Sequence, residues 1–294
     1  MDADRLRGNE NALIDAMCTA AEAGEEVALD GFRTDLHVET KSGRFDRVTE
    51  IDRAVQRRVR ESLAGAEEAF AGDAVEGTTE DVVGDLPFVG EEEDARKTVP
   101  ERGPAWVVDP IDGTNNFVGG GAIWAIAIAA TYDGDPLAAV THLPAVGDTY
   151  VADAFHGDEN ESDADMARRN GTPIRVSQRT DPTSFTVNPI FGFSDRHRRR
   201  HRAVVGTIFD DFGDLRRIGS AQAALASVAS GEIDAAISTV ELQAWDTVGG
   251  VRLIRAAGGV VTDVHGERWR PGGEGLIASN GRAHDALVEA FGGH

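Results

Sequence analysis

The chain has 294 residues, long enough for two domains, and its 51 acidic against 29 basic residues give a formal net charge of −22. That charge repels phosphate backbones and excludes a general nucleic-acid-binding surface. A hydrophobic content of 41% suffices for a sizeable core, yet no run of about 18 apolar residues occurs, so no membrane-spanning helix is expected. The acidic start, Met1-Asp-Ala-Asp4, lacks the basic-then-apolar order of a signal peptide, and a soluble, cytoplasmic protein is the expectation.

Leu13, Ile14, Met17, Ala20 and Ala21 recur at helical spacing and predict a helix over 9–29. Cys18 lies within it. As the only cysteine it excludes an internal disulfide and a thiolate-clustered zinc site, and it reads as an apolar structural residue. Lys41 and Lys97 are the only lysines, so arginine carries nearly all positive charge. An acidic, lysine-poor surface suits a high-salt cytoplasm, where screening suppresses self-repulsion, and a halophilic source is the hypothesis.

A second helix is predicted over 49–64, with Thr49 as N-cap, Asp52 in its first turn and a stripe of Ile51, Val55, Val59 and Leu63. Residues 72–87 read as a solvated loop. Ala105-Trp-Val-Val108 reads as a buried strand that runs into Asp109. Apolar runs at 123–131, 136–142 and 149–154, joined by turn signals, predict an antiparallel meander. Residues 156–171 read as an acidic surface loop.

In the second half, strands are predicted at 184–188, 233–238, 260–262 and 276–278. Helices are predicted at 195–213, from Ser220 to Gly231, and from a cap at Asp246 to Gly258-Gly259. This alternation indicates an α/β half.

The chemistry concentrates in Trp106-Val-Val-Asp-Pro-Ile-Asp-Gly-Thr114. The strand delivers Asp109, Pro110 fixes the turn, Gly113 permits a tight bend, and Thr114 is placed to cap the next segment. Two carboxylates and the Ile111 carbonyl thereby converge. Gly90-Glu-Glu-Glu-Asp94 lies upstream and Trp245-Asp246 at a helix start downstream. Oxygen donors without His or Cys favour Mg²⁺, with Mn²⁺ or Ca²⁺ as alternatives. Each piece also has a bland reading: a surface turn, a solvated glutamate run and a helix cap.

Asp109-Pro-Ile-Asp-Gly-Thr114 resembles the signature of the inositol monophosphatase family, and Trp245-Asp246 with Gly249, Ala257-Gly-Gly259 and Val261 resembles that family's second signature. Gly90-Glu-Glu92, the segment from Lys41 to Asp52, Asn170 to Ser177 and Gly219-Ser-Ala221 also fit. The resemblance implies an α/β (α+β) fold, a layered αβαβα sandwich with domains at 1–178 and 179–294. It implies two or three Mg²⁺ ions: one held by Glu91, Asp109 and the Ile111 carbonyl, one by Asp109, Asp112 and Asp246, and a third near Glu91 through waters. Glu91 and Thr114 would position and deprotonate the attacking water. The Gly113 and Thr114 backbone would accept phosphate, and Asp112, Gly219, Ser220, Ala221 and Asp246 would line the alcohol side. Lys41 would reach the metal waters, while Asp46 and Asp52 read as supporting residues. A homodimer acting on a small phosphorylated sugar or polyol is the implied assembly, with no nucleic-acid or membrane partner.

Two departures bear on substrate. Animal members carry a glutamate seven residues before the Trp-Asp aspartate, where this chain has Thr239, so a charged acceptor for inositol hydroxyls is missing. The run Arg196-His-Arg-Arg-Arg-His-Arg202 reads either as a basic helix face or, with Arg216 and Arg217, as a site for a second phosphate. His197 and His201 stand four apart but lack an evident third ligand and read as solvated. The expected substrates are therefore inositol 1-phosphate, fructose 1,6-bisphosphate or both. Relatives acting on adenosine 3′,5′-bisphosphate commonly show Asp-Pro-Leu-Asp-Gly-Thr-Lys, from which Ile111 and Asn115 lean away. A catalytically silent regulator is the remaining alternative, and it is disfavoured because every ligand position is filled.

Overall fold

The computed structural model describes residues 10–34, 38–40, 47–72, 86–92, 95–153, 167–192 and 197–293. Two helices open the chain, α1 (Glu10–Gly31) and α2 (Glu50–Gly72), the latter running eight residues past the predicted end. Between them Val38–Thr40 (β1) pairs antiparallel with Arg47–Thr49 (β2), a ladder that hydrophobic patterning did not indicate. α2 starts on a reciprocal cap. The Thr49 N–H and hydroxyl donate to Asp52 Oδ2 at 2.8 and 2.5 Å, and the Ile51 N–H donates back to Thr49 Oγ1 at 3.1 Å.

A seven-stranded sheet comes next, in the order β3 (Phe88–Gly90), β4 (Pro104–Asp112), β5 (Ala125–Tyr132), β6 (Asp135–Leu143), β7 (Asp148–Ala152), β8 (Ala167–Arg169) and β9 (Thr172–Pro173). The predicted meander is present as the antiparallel pairs β5–β6 and β6–β7. β3 runs parallel to β4. The loop expected over 156–171 is corrected at its end: Ala167–Arg169 pairs with Tyr150–Ala152, and Arg169 donates from Nε to Asp148 at 2.9 Å. Charge at 168–169 masked a strand whose polar side chains form ion pairs.

A short helix α3 (Thr114–Val118) leaves β4, and the second sheet begins with β10 (Thr186–Pro189). Its order is β11 (Asp214–Leu215), β10, β12 (Ala235–Ser238), β14 (Leu276–Ser279), β13 (Val260–Thr262). β10, β11 and β12 are mutually parallel, and β14 is antiparallel to both β12 and β13. The connecting helices are α4 (Arg198–Asp211), α5 (Ala221–Ala229), α6 (Ala244–Ala256) and the unpredicted α7 (His284–Phe291).

Three cores define the layering. α1 and α2 cover one face of the first sheet through Leu13, Met17, Val55 and Val59 against Trp106, Val108, Ile126 and Ile128. α5 and α6 fill the space between the sheets, where Val107, Ala129 and Ala139 meet Leu225, Val251 and Ile254. α4 and α7 close the far face of the second sheet with Phe185, Ile208, Ile237 and Phe291. The result is an α/β sandwich in αβαβα order. β4 is buried on both faces, which explains its unbroken apolar run. The two helices of the central layer pack closely because they are alanine- and glycine-rich. A Cβ at Gly250 would lie 2.3 Å from Leu225 Cβ. Among the described residues no helix is long and apolar enough to cross a membrane.

Candidate metal centre

In a regular strand, residues three apart point to opposite faces. Asp109 and Asp112 escape this because β4 carries a bulge: Asp109 faces Ala127 and Asp112 faces Ala125, so three steps on β4 match two on β5. Pro110, read as a turn residue, lies inside the strand at this bulge. The extra residue turns Asp112 to the side of Asp109. Gly113 then takes φ 93°, and a Cβ there would sit 3.0 Å from Ser220 Cβ. Glycine is required by conformation and by this close approach.

Asp246 comes from the other sequence half, at the third position of α6 rather than at the predicted cap. Gln243 holds the cap position, and the Gln243 N–H donates to Asp246 Oδ2 at 3.2 Å. Carboxylate oxygens of Asp109, Asp112 and Asp246 lie within 4.8 Å of one another. Burial raises the Asp109 pKa well above the ordinary carboxylate range, and the charges of Glu91, Asp112, Asp246 and Asp52 raise it further. Burial also raises Asp112, against donors that oppose the shift: the Ser220 hydroxyl and the Gln222 and Ala221 N–H groups, the last two at 2.6 and 3.1 Å. Three accepted bonds still leave a carboxylate lone pair for a cation. An all-oxygen, buried, mutually repelling trio fits a hard divalent ion and is costly without one.

The remaining expected residues fall around this trio. Glu91 is outside the 4.8 Å group, but its charge is the first to act on Asp109. The Ile111 N–H donates to Asp109 Oδ1 at 3.1 Å. Thr114 is the first residue of α3, not its cap, and its hydroxyl lies 3.1 Å from the Ile111 carbonyl and 3.2 Å from Asp52 Oδ1. Gly219 (φ 87°) packs on the Asn116 side chain, whose Nδ2 donates to the Ile218 and Ile123 carbonyls at 3.0 and 2.6 Å. Ser220 and Ala221 direct their donors at Asp112. Lys41, Asp46 and Arg196 lie outside the described residues. His197 and His201, expected from sequence to be solvated, are half-buried. The His201 ring packs on Phe191 with centroids 4.4 Å apart.

Sequence reading missed Lys97 and Gln56. Gln56 Oε1 accepts from the Glu92 N–H at 3.0 Å, and Lys97 Nζ donates to three carbonyls of the Glu91 loop. Lys97's being one of two lysines was the available signal.

An αβαβα sandwich carrying an oxygen-donor trio at a strand bulge defines an α/β fold with a candidate metal centre. The chain matches the inositol monophosphatase family over residues 9–294 and belongs to it, so it is a phosphatase, a phosphoric monoester hydrolase. It is 30% identical to the inositol-1-monophosphatase ImpA of Mycolicibacterium smegmatis over 284 residues, 95% of this chain and 91% of that one. It is 30% identical to the fructose-1,6-bisphosphatase/inositol-1-monophosphatase of Thermotoga maritima over 260 residues, covering 86% and 85%. The solved inositol monophosphatase of Thermotoga maritima superposes with a TM-score of 0.74 at 26% identity, covering 94% of this chain and 95% of that one.

Proposed function

We propose that this phosphatase hydrolyses small sugar or polyol phosphates with Mg²⁺, fructose 1,6-bisphosphate and inositol 1-phosphate being the leading substrates. The observation that carries the proposal is the convergence of Asp109, Asp112 and Asp246 within 4.8 Å. Glu91, Asp109 and the Ile111 carbonyl would hold one ion, and Asp109, Asp112 and Asp246 a second, with Mn²⁺ as a substitute. Bound divalent ions would neutralise the ester dianion and make water acidic enough to attack near neutral pH.

The chain's own groups supply the rest. Glu91 and Thr114 would orient the attacking water, the Thr114 hydroxyl being held by Asp52 and the Ile111 carbonyl. The backbone of Gly113 and Thr114 would receive the phosphate. Gly219, Ser220 and Ala221, held against Asp112, would shape the alcohol side. The first sheet ends at Pro173 and the second starts at Thr186, which supports domains 1–178 and 179–294. A cytoplasmic homodimer completes the reading.

One feature favours the bisphosphate. Ligands of parallel sheets gather at the carboxyl ends of the strands. Here β10, β11 and β12 lead into Phe191, Arg216-Arg217 and Thr239 respectively. Arg217 lies over the Phe191 ring at 5.8 Å, His201 packs on that ring, and Arg200 Nη1 donates to the Thr239 carbonyl at 3.2 Å. The glutamate of the animal enzymes is thus replaced by a threonine whose carbonyl meets Arg200, at the same sheet end as Arg217, a setting that suits a second anionic group. The test is phosphate release from fructose 1,6-bisphosphate, inositol 1-phosphate and adenosine 3′,5′-bisphosphate, with Mg²⁺ and with chelator, at low and high salt. Sugar or polyol turnover that vanishes with chelator is expected. Turnover of the nucleotide alone, or of none, would overturn the proposal.

A further inference from the structure

The chain leaves β3 at Gly90, and Arg96 is tied back to that strand by the Gly90 N–H to Arg96 carbonyl bond of 3.1 Å and the Arg96 N–H to Phe88 carbonyl bond of 3.0 Å. Directly after the strand, Glu91 and Glu92 bring negative charge to a site already crowded with Asp109, Asp112, Asp246 and Asp52. Before a cation binds, like charge drives these two residues outward. Lys97 opposes this. Its Nζ donates to the carbonyls of Gly90, Glu91 and Glu92 at 3.0, 2.8 and 2.6 Å. The same ammonium stands 5.4 Å from the centroid of the Trp245 ring, the residue before Asp246. Gln222 Nε2, from the helix that donates to Asp112, fixes the Trp245 carbonyl at 2.6 Å. One cation therefore ties the glutamate loop to the start of α6.

From this we infer that Lys97 is a positioning residue for cation binding: it pre-orders the Glu91 loop against Trp245-Asp246, so that metal affinity depends on a side chain taken to bind neither metal nor phosphate. The inference rests on the metal reading proposed above. The residue type is set by geometry. Three convergent carbonyls match the three N–H donors of an ammonium, whereas a planar guanidinium presents a fork. In a chain that otherwise uses arginine almost throughout, lysine stands where arginine would not serve.

The test is calorimetric titration of the purified full chain with MgCl₂ in the absence of substrate, for wild type, Lys97→Met, Lys97→Gln and Lys97→Arg. All three variants should bind Mg²⁺ about tenfold more weakly, the scale of losing a group that orients a ligand. Their metal-free melting temperatures should fall by only a few degrees, because the lost contacts are local to one loop, and phosphate release at saturating Mg²⁺ should stay within about twofold. Wild-type affinity in Lys97→Met or Lys97→Gln, or full affinity in Lys97→Arg, would overturn the inference. Two variants without positive charge are included so that one that fails to fold leaves the other. A wild type that binds no Mg²⁺ would instead overturn the metal reading itself.

Discussion

Ser220 donates its hydroxyl to the Asp112 carboxylate across 108 residues of sequence, while its own oxygen accepts the Ala223 N–H at 3.1 Å. One hydroxyl thus caps α5 and ties that helix to the bulge of the first sheet. Ser220→Ala removes both bonds and leaves Asp112 with its two backbone donors. Denaturant unfolding should report a loss of about 1–2 kcal/mol, the scale of a lost cap. Ser220→Thr, which keeps the hydroxyl, should recover most of it.

Asp109→Asn should have opposite effects on stability with and without metal. Without metal, the buried charge of Asp109 faces Glu91, Asp112, Asp246 and Asp52, so a neutral isostere relieves repulsion and the melting temperature should rise. With metal, wild type gains stability by binding, and the variant should gain none. Phosphate release should fall on the order of a thousandfold. A variant that melts below the metal-free wild type, or that keeps turnover, would refute the assignment.

Regular structure was legible where periodicity was strong. The stripe of Val55, Val59 and Leu63 marked α2, and three apolar runs between turns marked the meander. The acidic motifs were legible because their residues adjoin one another in sequence. What sequence could not supply was the bulge. Nothing in Asp109-Pro-Ile-Asp112 states that β5 will skip a residue opposite it, and without that skip the two carboxylates point apart. Thr114 and Asp246 have residue types that favour helix caps. The structure assigns the cap positions to Gly113 and Gln243, since tertiary contacts with Asp52 and the neighbouring acids determine where the two side chains lie. The Phe191–His201 contact joins a loop to a helix and leaves no periodic trace.

The Cys18 thiol should be inert. Burial, together with the charges of Glu22 and Asp15, pushes its pKa up to about 11. At pH 8 only about one thiol in a thousand is then ionised, so iodoacetamide should react about a hundredfold more slowly than with free cysteine. The rate should climb as pH approaches 11. Rapid labelling at pH 8 would show that the helix packing is looser than described.

The acidic excess gives a salt prediction. A formal charge of −22 repels itself most in dilute buffer. Raising KCl from about 0.1 M to about 1 M shortens the screening length from about 10 Å to about 3 Å. The melting temperature should therefore rise over this range, and KCl and NaCl should act alike if screening is the cause. Full stability in dilute buffer would remove the basis for the halophilic hypothesis.

Thr239→Glu tests substrate choice. Thr239 comes directly after β12, its carbonyl accepts from Arg200 Nη1 at 3.2 Å, and its side chain is buried, so the melting temperature of the variant is measured alongside its turnover. A carboxylate at this position adds an acceptor for sugar hydroxyls and puts negative charge at the sheet end that carries Arg200 and Arg217. On this reasoning kcat/KM for inositol 1-phosphate should rise and that for fructose 1,6-bisphosphate should fall, each by about tenfold, the scale of one charge-assisted hydrogen bond. Arg217→Ala should lower bisphosphate turnover without raising that of the monophosphate, because it removes a cation and adds no acceptor. Parallel changes on both substrates would mean that Thr239 affects folding or metal binding rather than recognition of the alcohol.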